Sequence, residues 1–172
     1  MADKKDRVGE LRPEDWEHRL QVLWGWRHKP SLTTPDRDLG SVARAVLDGC
    51  AITVRALCTA CGIRAQFKKF GEEAKDDEGR ARELLNRIHP GQEIVGKLPH
   101  DDQIALLEVL FLANRAVAHP ADGGSIDHRV GEHAMTTAIN VILRLLKEKA
   151  AELPNLKKTL DSKPEYFTPI AL

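Results

Sequence analysis

The segment from Ile104 to Ala118 constrains the fold most, because it is almost entirely apolar and its length and residue types suit a helix. Its only polar side chains are Glu108, Asn114 and Arg115, so most of the helical circumference is suited only to burial. Pro120 cannot continue such a helix. The segment therefore predicts a helix packed inside a larger helical domain.

The same periodicity, with start and stop signals, predicts helices along most of the chain. The predicted ranges are about Pro13 to Arg27, Asp36 to Cys61, Lys75 to Ile88, Asp101 to Ala118 and Asp127 to Glu152. The sequence EIVGKLP is interpreted as a short extended piece, too little for a sheet. We therefore predict an all-α, single-domain bundle of four to five helices over residues 1–152. A C-terminal tail, residues 153–172, either drapes over the bundle or over a neighbouring molecule, or is disordered.

Face assignments follow from the helical period. The predicted core includes Leu47, Ile52, Leu57, Leu107, Leu110, Val141, Ile142 and Leu145. A polar line on the last long helix is predicted to face solvent, formed by Arg129, His133, Thr136, Asn140, Arg144 and Lys147.

Charge and hydropathy narrow the function classes. The 172 residues include 26 Lys plus Arg and 26 Asp plus Glu, so no net charge attracts the chain to nucleic acid or to an anionic membrane. No apolar run reaches the roughly 20 residues needed to span a bilayer. The polar start MADKKDRVGE lacks the apolar segment of a secretory signal. We therefore expect a cytoplasmic protein with no membrane partner.

The three cysteines, Cys50, Cys58 and Cys61, lie on one predicted helix. A redox pair would open a helix after a strand, and a zinc site would need a fourth ligand. We therefore predict small core residues without metal, and no cofactor is expected.

One polar stripe stands out on the helix from Asp101 to Ala118. At about 100° per residue, Asp101, Glu108, Arg115 and His119 lie within roughly 40° of one another. One interpretation is that the stripe forms the solvent-facing edge of an amphipathic helix. A second interpretation is a site in which a titratable ring lies one turn from a fixed cation, and a third is a buried histidine whose hydrogen bonds are satisfied and which has no chemical role.

The stretch ANRAVAHP, followed by a loop and a long amphipathic helix, resembles the HEPN superfamily, in particular its abortive-infection-like relatives. HEPN domains are small helical bundles, commonly dimeric, and many are metal-independent ribonucleases. The resemblance implies that Arg115 holds the scissile phosphate and His119 transfers a proton. Glu108 would orient or neutralise Arg115.

The stretch departs from the HEPN pattern at two points. Three residues separate Arg115 from His119, and alanine follows the arginine where a polar residue is usual. If the motif is counted from Asn114 instead, four residues lie between it and His119, as in the family, but a neutral amide then stands in place of the positively charged arginine.

Two hypotheses from different classes follow. The first is a metal-independent endoribonuclease of a phage-defence or toxin-type system, acting on RNA through Arg115 and His119. The second is a non-catalytic helical interaction or regulatory module that binds another protein or forms a homodimer. For a homodimer, the last two long helices are the predicted seam.

Two further patterns have alternative interpretations. His128 and Glu132, four residues apart, have the spacing of metal ligands, although such pairs are common by chance. All three tryptophans lie between Trp16 and Trp26, just before a basic stretch. They form either a stacking patch for single-stranded nucleic acid or, as we favour, an aromatic helix that closes the bundle.

Overall fold

The computed structural model describes residues 11–63, 91–118 and 131–171, with the helical backbone alone for residues 115–118. Every regular element in these ranges is helical. The α-helices are α1 Pro13–Gly25, α2 Arg37–Ala60, α3 Gln92–Val95, α4 His100–Ala118, α5 Glu132–Lys149 and α6 Pro154–Ser162. Single 3₁₀ turns, Trp26–His28 and Pro164–Phe167, follow α1 and α6. The all-α prediction is confirmed, while the helix predicted at residues 75–88 lies outside the described residues.

Helix α2 begins after an aspartate that caps it and ends just before a glycine, as the sequence predicts. The carboxylate of Asp36 accepts from the backbone N–H groups of Asp38 at 2.9 Å and Leu39 at 3.0 Å, which satisfies two donors that the first helical turn leaves unpaired. At the other end Gly62 has a φ of +82°, a backbone conformation that glycine adopts without steric cost.

The chain returns close to Ile63 at Gly91, where a Cβ on the glycine would lie 2.7 Å from the Ile63 Cα. The extended piece predicted just after this point is wrong. Residues Gln92–Val95 form one helical turn, in which Gly91 O accepts from Ile94 N at 3.1 Å and Val95 N at 3.0 Å. Val95 is fully buried, so docking of its side chain favours the turn over an extended path.

The long helices pack around α4. It contacts α2 on one side and α5 on the other, α2 also contacts α5, and α1 packs against both α2 and α6. The largest fully buried side chains come from α1, α2, α4 and α5, from the residue that ends the turn after α2, and from the C-terminal 3₁₀ turn: Trp16, Leu20, Leu23, Leu57, Ile63, Leu106, Leu110, Met135, Ile139 and Phe167.

The predicted core is confirmed at seven of its eight positions, and Ile52 is the exception. Its side chain is 42% exposed. It lies five positions after Leu47, which places it about 140° around the helix axis from that buried side chain. Ile52 therefore lies on the outer side of α2.

The solvent-facing line predicted on α5 is wrong at two positions. Thr136 is buried and Asn140 is half-buried. Thr136 accepts a hydrogen bond from the Trp26 indole, and Asn140 binds the backbone of Ile170. A polar side chain is buried at low cost when a partner is present, and here both partners come from distant parts of the chain.

The C-terminal residues drape over the bundle, as one of the alternatives for the tail predicted. Pro154 opens α6, and the Asn155 amide donates to Leu11 O at 3.0 Å. Leu156 and Phe167 are fully buried. Residues 153–171 therefore contribute to the same hydrophobic core as α1 to α5, and the domain boundary drawn at residue 152 stays a prediction.

Candidate functional site

Two residues of the polar stripe predicted on α4, Asp101 and Glu108, lie on the least buried side of that helix. Asp101 is exposed, and Glu108 and Asn114 are half-buried. Glu108 lies seven residues from both Asp101 and Arg115, about 10 Å along the axis in each direction. Asn114 is rotated by about 100° from Arg115 and so lies on a neighbouring line of the helix.

The two residues of the ribonuclease hypothesis are only partly covered by the structure. Arg115 lies within α4, one turn before the helix ends at Ala118. Its side chain and the whole of His119 lie outside the described residues. Their roles as phosphate ligand and proton-transfer group therefore stay predictions.

Glu132, the carboxylate of the metal-site alternative, has other partners. Its Oε1 atom accepts from Leu32 N at 2.9 Å and lies 3.0 Å from Lys29 Nζ. The Leu32 N–H, followed by the Lys29 ammonium, lowers the pKa of Glu132 below its usual value. His128 lies outside the described residues, within which no group of three or more potential metal ligands is found.

The aromatic N-terminal segment closes the bundle, the interpretation that we favoured. Trp16 and Trp26 are buried, and the Trp26 Nε1 atom donates to Thr136 Oγ1 at 2.9 Å. Trp24 is half-buried. Its ring centroid lies 5.7 Å from the ring centroid of Tyr166 and 4.4 Å from the guanidinium carbon of Arg27. The Trp24 ring therefore already has partners within the chain.

Helix α2 carries a surface that the sequence analysis did not identify. Within the described ranges three large apolar side chains are exposed, and all three belong to α2: Leu39 at 47%, Val42 at 51% and Ile52 at 42%. We call Val42, Ala45, Gly49 and Ile52 the α2 outer face, because their spacings of three, four and three place them within about 80° of one another. That spacing is visible in the sequence, but it was hidden by the assignment of Ile52 to the core.

Asp48 borders the α2 outer face and is partly withdrawn from water. Its Oδ1 atom is buried and has no hydrogen-bond partner among the described residues. Desolvation raises the pKa of Asp48, and the positive charge of Arg44 opposes that shift. The charged carboxylate is therefore held at a cost in stability.

The cysteines are buried and form no disulfide. Burial raises the pKa of Cys50 and of Cys61 to about 12, and it raises the pKa of Cys58 as well. Thiols with such pKa values stay protonated at neutral pH and are poor nucleophiles.

Neither a protein-family model, nor a curated protein, nor a solved structure matches this chain. Within the described residues, no helix is long and apolar enough to cross a membrane.

Proposed function

We propose that this chain is a helical interaction module that self-associates through the α2 outer face. One observation supports it: the exposed large apolar side chains of the described residues are all on a single helix. Single exposed apolar residues are normal on protein surfaces, whereas neighbouring ones on one face are more typical of an interaction surface, and two of the three, Val42 and Ile52, share the α2 outer face.

A second copy of the chain is the partner whose pattern fits this face. When two α2 helices pair antiparallel about residue 47, Val42 of each copy lies opposite Ile52 of the other, and Ala45 lies opposite Gly49. The small central residues allow the helix axes to approach closely, and the larger ones cover the ends. In this register Arg44 lies within one turn of Asp48 of the second copy, and the two Asp48 carboxylates lie equally close to each other, so the apolar and small residues, and not the charges, favour the pairing.

The size of α2 sets the expected strength. Its 24 residues span about 36 Å, and a helix about 10 Å wide buries roughly 350 Å² per copy. A stable protein interface buries about 800 Å² per partner. We therefore expect a weak dimer with a dissociation constant of about 10 μM or higher, unless other parts of the chain add to the contact.

Sedimentation velocity over a range of protein concentrations tests the proposal. The wild-type chain should shift from monomer towards dimer as concentration rises, and a Val42→Glu, Ile52→Glu double variant should stay monomeric with unchanged helicity. Lys147→Glu, on an exposed position of α5, is the matched control because it changes the net charge by the same amount. A wild-type chain that remains monomeric at several hundred micromolar would contradict self-association.

The control also tests the seam predicted from sequence. We propose α2 instead of the last two long helices because α4 and α5 bury most of their apolar residues within the chain. If Lys147→Glu dissociates the dimer and the α2 variant does not, the seam lies on α5 and the α2 proposal is wrong.

Gly49→Ala separates a role in the interface from a role in the fold. A Cβ at this position would lie 3.9 Å from Val22 Cγ1 of α1, an ordinary van der Waals distance, and alanine favours helix over glycine by about 1 kcal/mol. The variant should therefore be at least as stable as wild type. It should nevertheless weaken self-association, because the added methyl group separates the two helices at the centre of the face.

A second proposal retains the HEPN-like bundle and the metal-independent ribonuclease. Two features of α4 support it. The helix continues without a break through Arg115, and Arg115 lies two turns after Glu108 on the same, least buried side of the helix. Arginine offers a planar fork matched to phosphate oxygens, and histidine titrates near neutral pH. The pair suits cleavage of RNA by its own ribose hydroxyl.

RNA cleavage by the purified chain, with and without a chelator, tests this second proposal. We expect cleavage that the chelator does not affect and that His119→Ala or Arg115→Ala removes without changing helicity. Lys147→Ala, which removes a positive charge at an exposed position of α5, is the control. Cleavage that survives both substitutions, or that stops with the chelator, would contradict the mechanism.

A further inference from the structure

We call residues 164–171, the last described residues, the C-terminal strap. The strap lies in a groove that has α1 and its 3₁₀ turn as one wall and α5 as the other. The Asn140 amide donates to Ile170 O at 2.9 Å, and its carbonyl oxygen accepts from Ile170 N at 2.8 Å. On the opposite wall, Arg27 Nη2 donates to Pro169 O at 3.1 Å and also to Thr168 O.

These contacts recognise the backbone of the strap. An amide that donates to and accepts from the same residue makes the pair of hydrogen bonds that a neighbouring β-strand would make. The guanidinium binds two successive carbonyl oxygens. Neither contact depends on the side chains at residues 168–170, so the groove suits an extended peptide of varied sequence.

Side-chain selectivity comes mainly from one position. Phe167 is 1% exposed, whereas Tyr166 and Ile170 are only partly buried. The Tyr166 hydroxyl accepts from Gln21 Nε2 at 3.2 Å, an exposed contact at the edge of the groove. The groove therefore requires an aromatic residue in one pocket, followed by an extended backbone.

Release of the strap withdraws one core side chain, Phe167, while the contacts among the helices stay in place. Helix α1, its 3₁₀ turn and α5 each pack against α2, so α2 holds the two walls of the groove in place when the strap is released. A segment held mainly by one buried side chain and by four hydrogen bonds to Asn140 and Arg27 opens at lower free energy than the helical core of the same protein.

We propose that this groove is a peptide-binding site, which the C-terminal strap occupies in cis and from which it is displaced by an extended peptide carrying an aromatic residue. The proposal does not depend on self-association through α2.

Amide hydrogen exchange on the wild-type chain tests whether the strap opens separately. We expect the Ile170 amide to exchange at least about tenfold faster than the buried Leu143 amide of α5, yet more slowly than in a free peptide. Exchange of Ile170 at the same rate as Leu143 would mean that the strap is released only by global unfolding, and it would overturn the proposal.

Peptide binding tests whether the groove accepts a ligand in trans. The probe is a fluorescent peptide with the sequence of residues 164–171, PEYFTPIA. The Phe167→Ala chain, whose own strap has lost its anchor, should bind the probe at least tenfold more tightly than wild type does. Adding Asn140→Ala should abolish that binding, and a probe with alanine in place of its phenylalanine should not bind.

Equal binding of the probe to wild type and to a helical Phe167→Ala chain would overturn the proposal, and so would no binding to either. If Phe167→Ala fails to fold, the exchange rate of the Ile170 amide in the wild-type chain decides the question alone.

Discussion

The buried hydrogen bond between Trp26 and Thr136 offers a sharp test of how the first 3₁₀ turn is held against α5. Both residues are almost fully buried, and the donor and acceptor atoms are 2.9 Å apart. Thr136→Val keeps the side-chain shape but leaves the indole N–H buried and unpaired, at a cost of about 1–3 kcal/mol. Burial of the new methyl group offsets up to about 0.8 kcal/mol of this.

We therefore expect Thr136→Val to lower the free energy of unfolding by about 1–2 kcal/mol. For a chain of this length, 1 kcal/mol corresponds to about 2–4 °C in Tm, so Tm should fall by about 2–8 °C. Thermal and denaturant unfolding followed by circular dichroism would measure both quantities.

The neighbouring threonine provides the matched control. Thr137 is also buried, but its hydroxyl has no hydrogen-bond partner among the described residues. Thr137→Val removes an unpaired buried polar group, so it should be neutral or should stabilise the fold by up to about 1 kcal/mol. The same substitution at adjacent positions is thus expected to have opposite effects.

A double-mutant cycle isolates the bond itself. In a Trp26→Phe background there is no indole N–H to leave unpaired, so Thr136→Val should cost about 1 kcal/mol less than it does in the wild type. A coupling energy below about 0.3 kcal/mol, or a Thr137→Val variant less stable than Thr136→Val, would refute the reasoning.

Three further predictions concern burial and ionisation. Leu110→Ala should cost about 2–5 kcal/mol by opening a cavity, whereas Ile52→Ala should change monomer stability by less than about 0.5 kcal/mol; chemical denaturation of dilute protein would compare them. Asp48→Asn should raise the free energy of unfolding at pH 7 and lose that advantage at about pH 3, because the raised pKa penalises the folded state only where the carboxylate is ionised. A variant that is still more stable than wild type at about pH 3 would contradict that cause. The native thiols, with pKa values of about 12 at Cys50 and Cys61, should resist alkylation at pH 8 until the chain unfolds, so rapid labelling of the folded chain would show that they are accessible.

The sequence by itself determined where the long helices lie, because the signals that start and stop a helix are local. Asp36 caps α2 from one residue before it, Pro13 opens α1, and Gly62 ends α2 with a positive φ. The apolar character of α4 likewise follows from its own residues. For the candidate site, the sequence predicted a polar line on α4, and Asp101 and Glu108 lie on its least buried side.

Tertiary structure decided which faces are covered and which polar groups have partners. Periodicity ranked Ile52 with the core and Asn140 with the solvent, and both assignments are wrong, because burial depends on which elements pack alongside. Asn140 is half-buried because Ile170, thirty residues away, supplies a donor and an acceptor. Ile52 is exposed because α1, α4 and α5 cover the other sides of α2. Neither the α2 outer face nor the strap groove was predicted. The groove is formed by contacts between residues far apart in the chain, and the α2 outer face is the side of α2 that the other described helices leave uncovered.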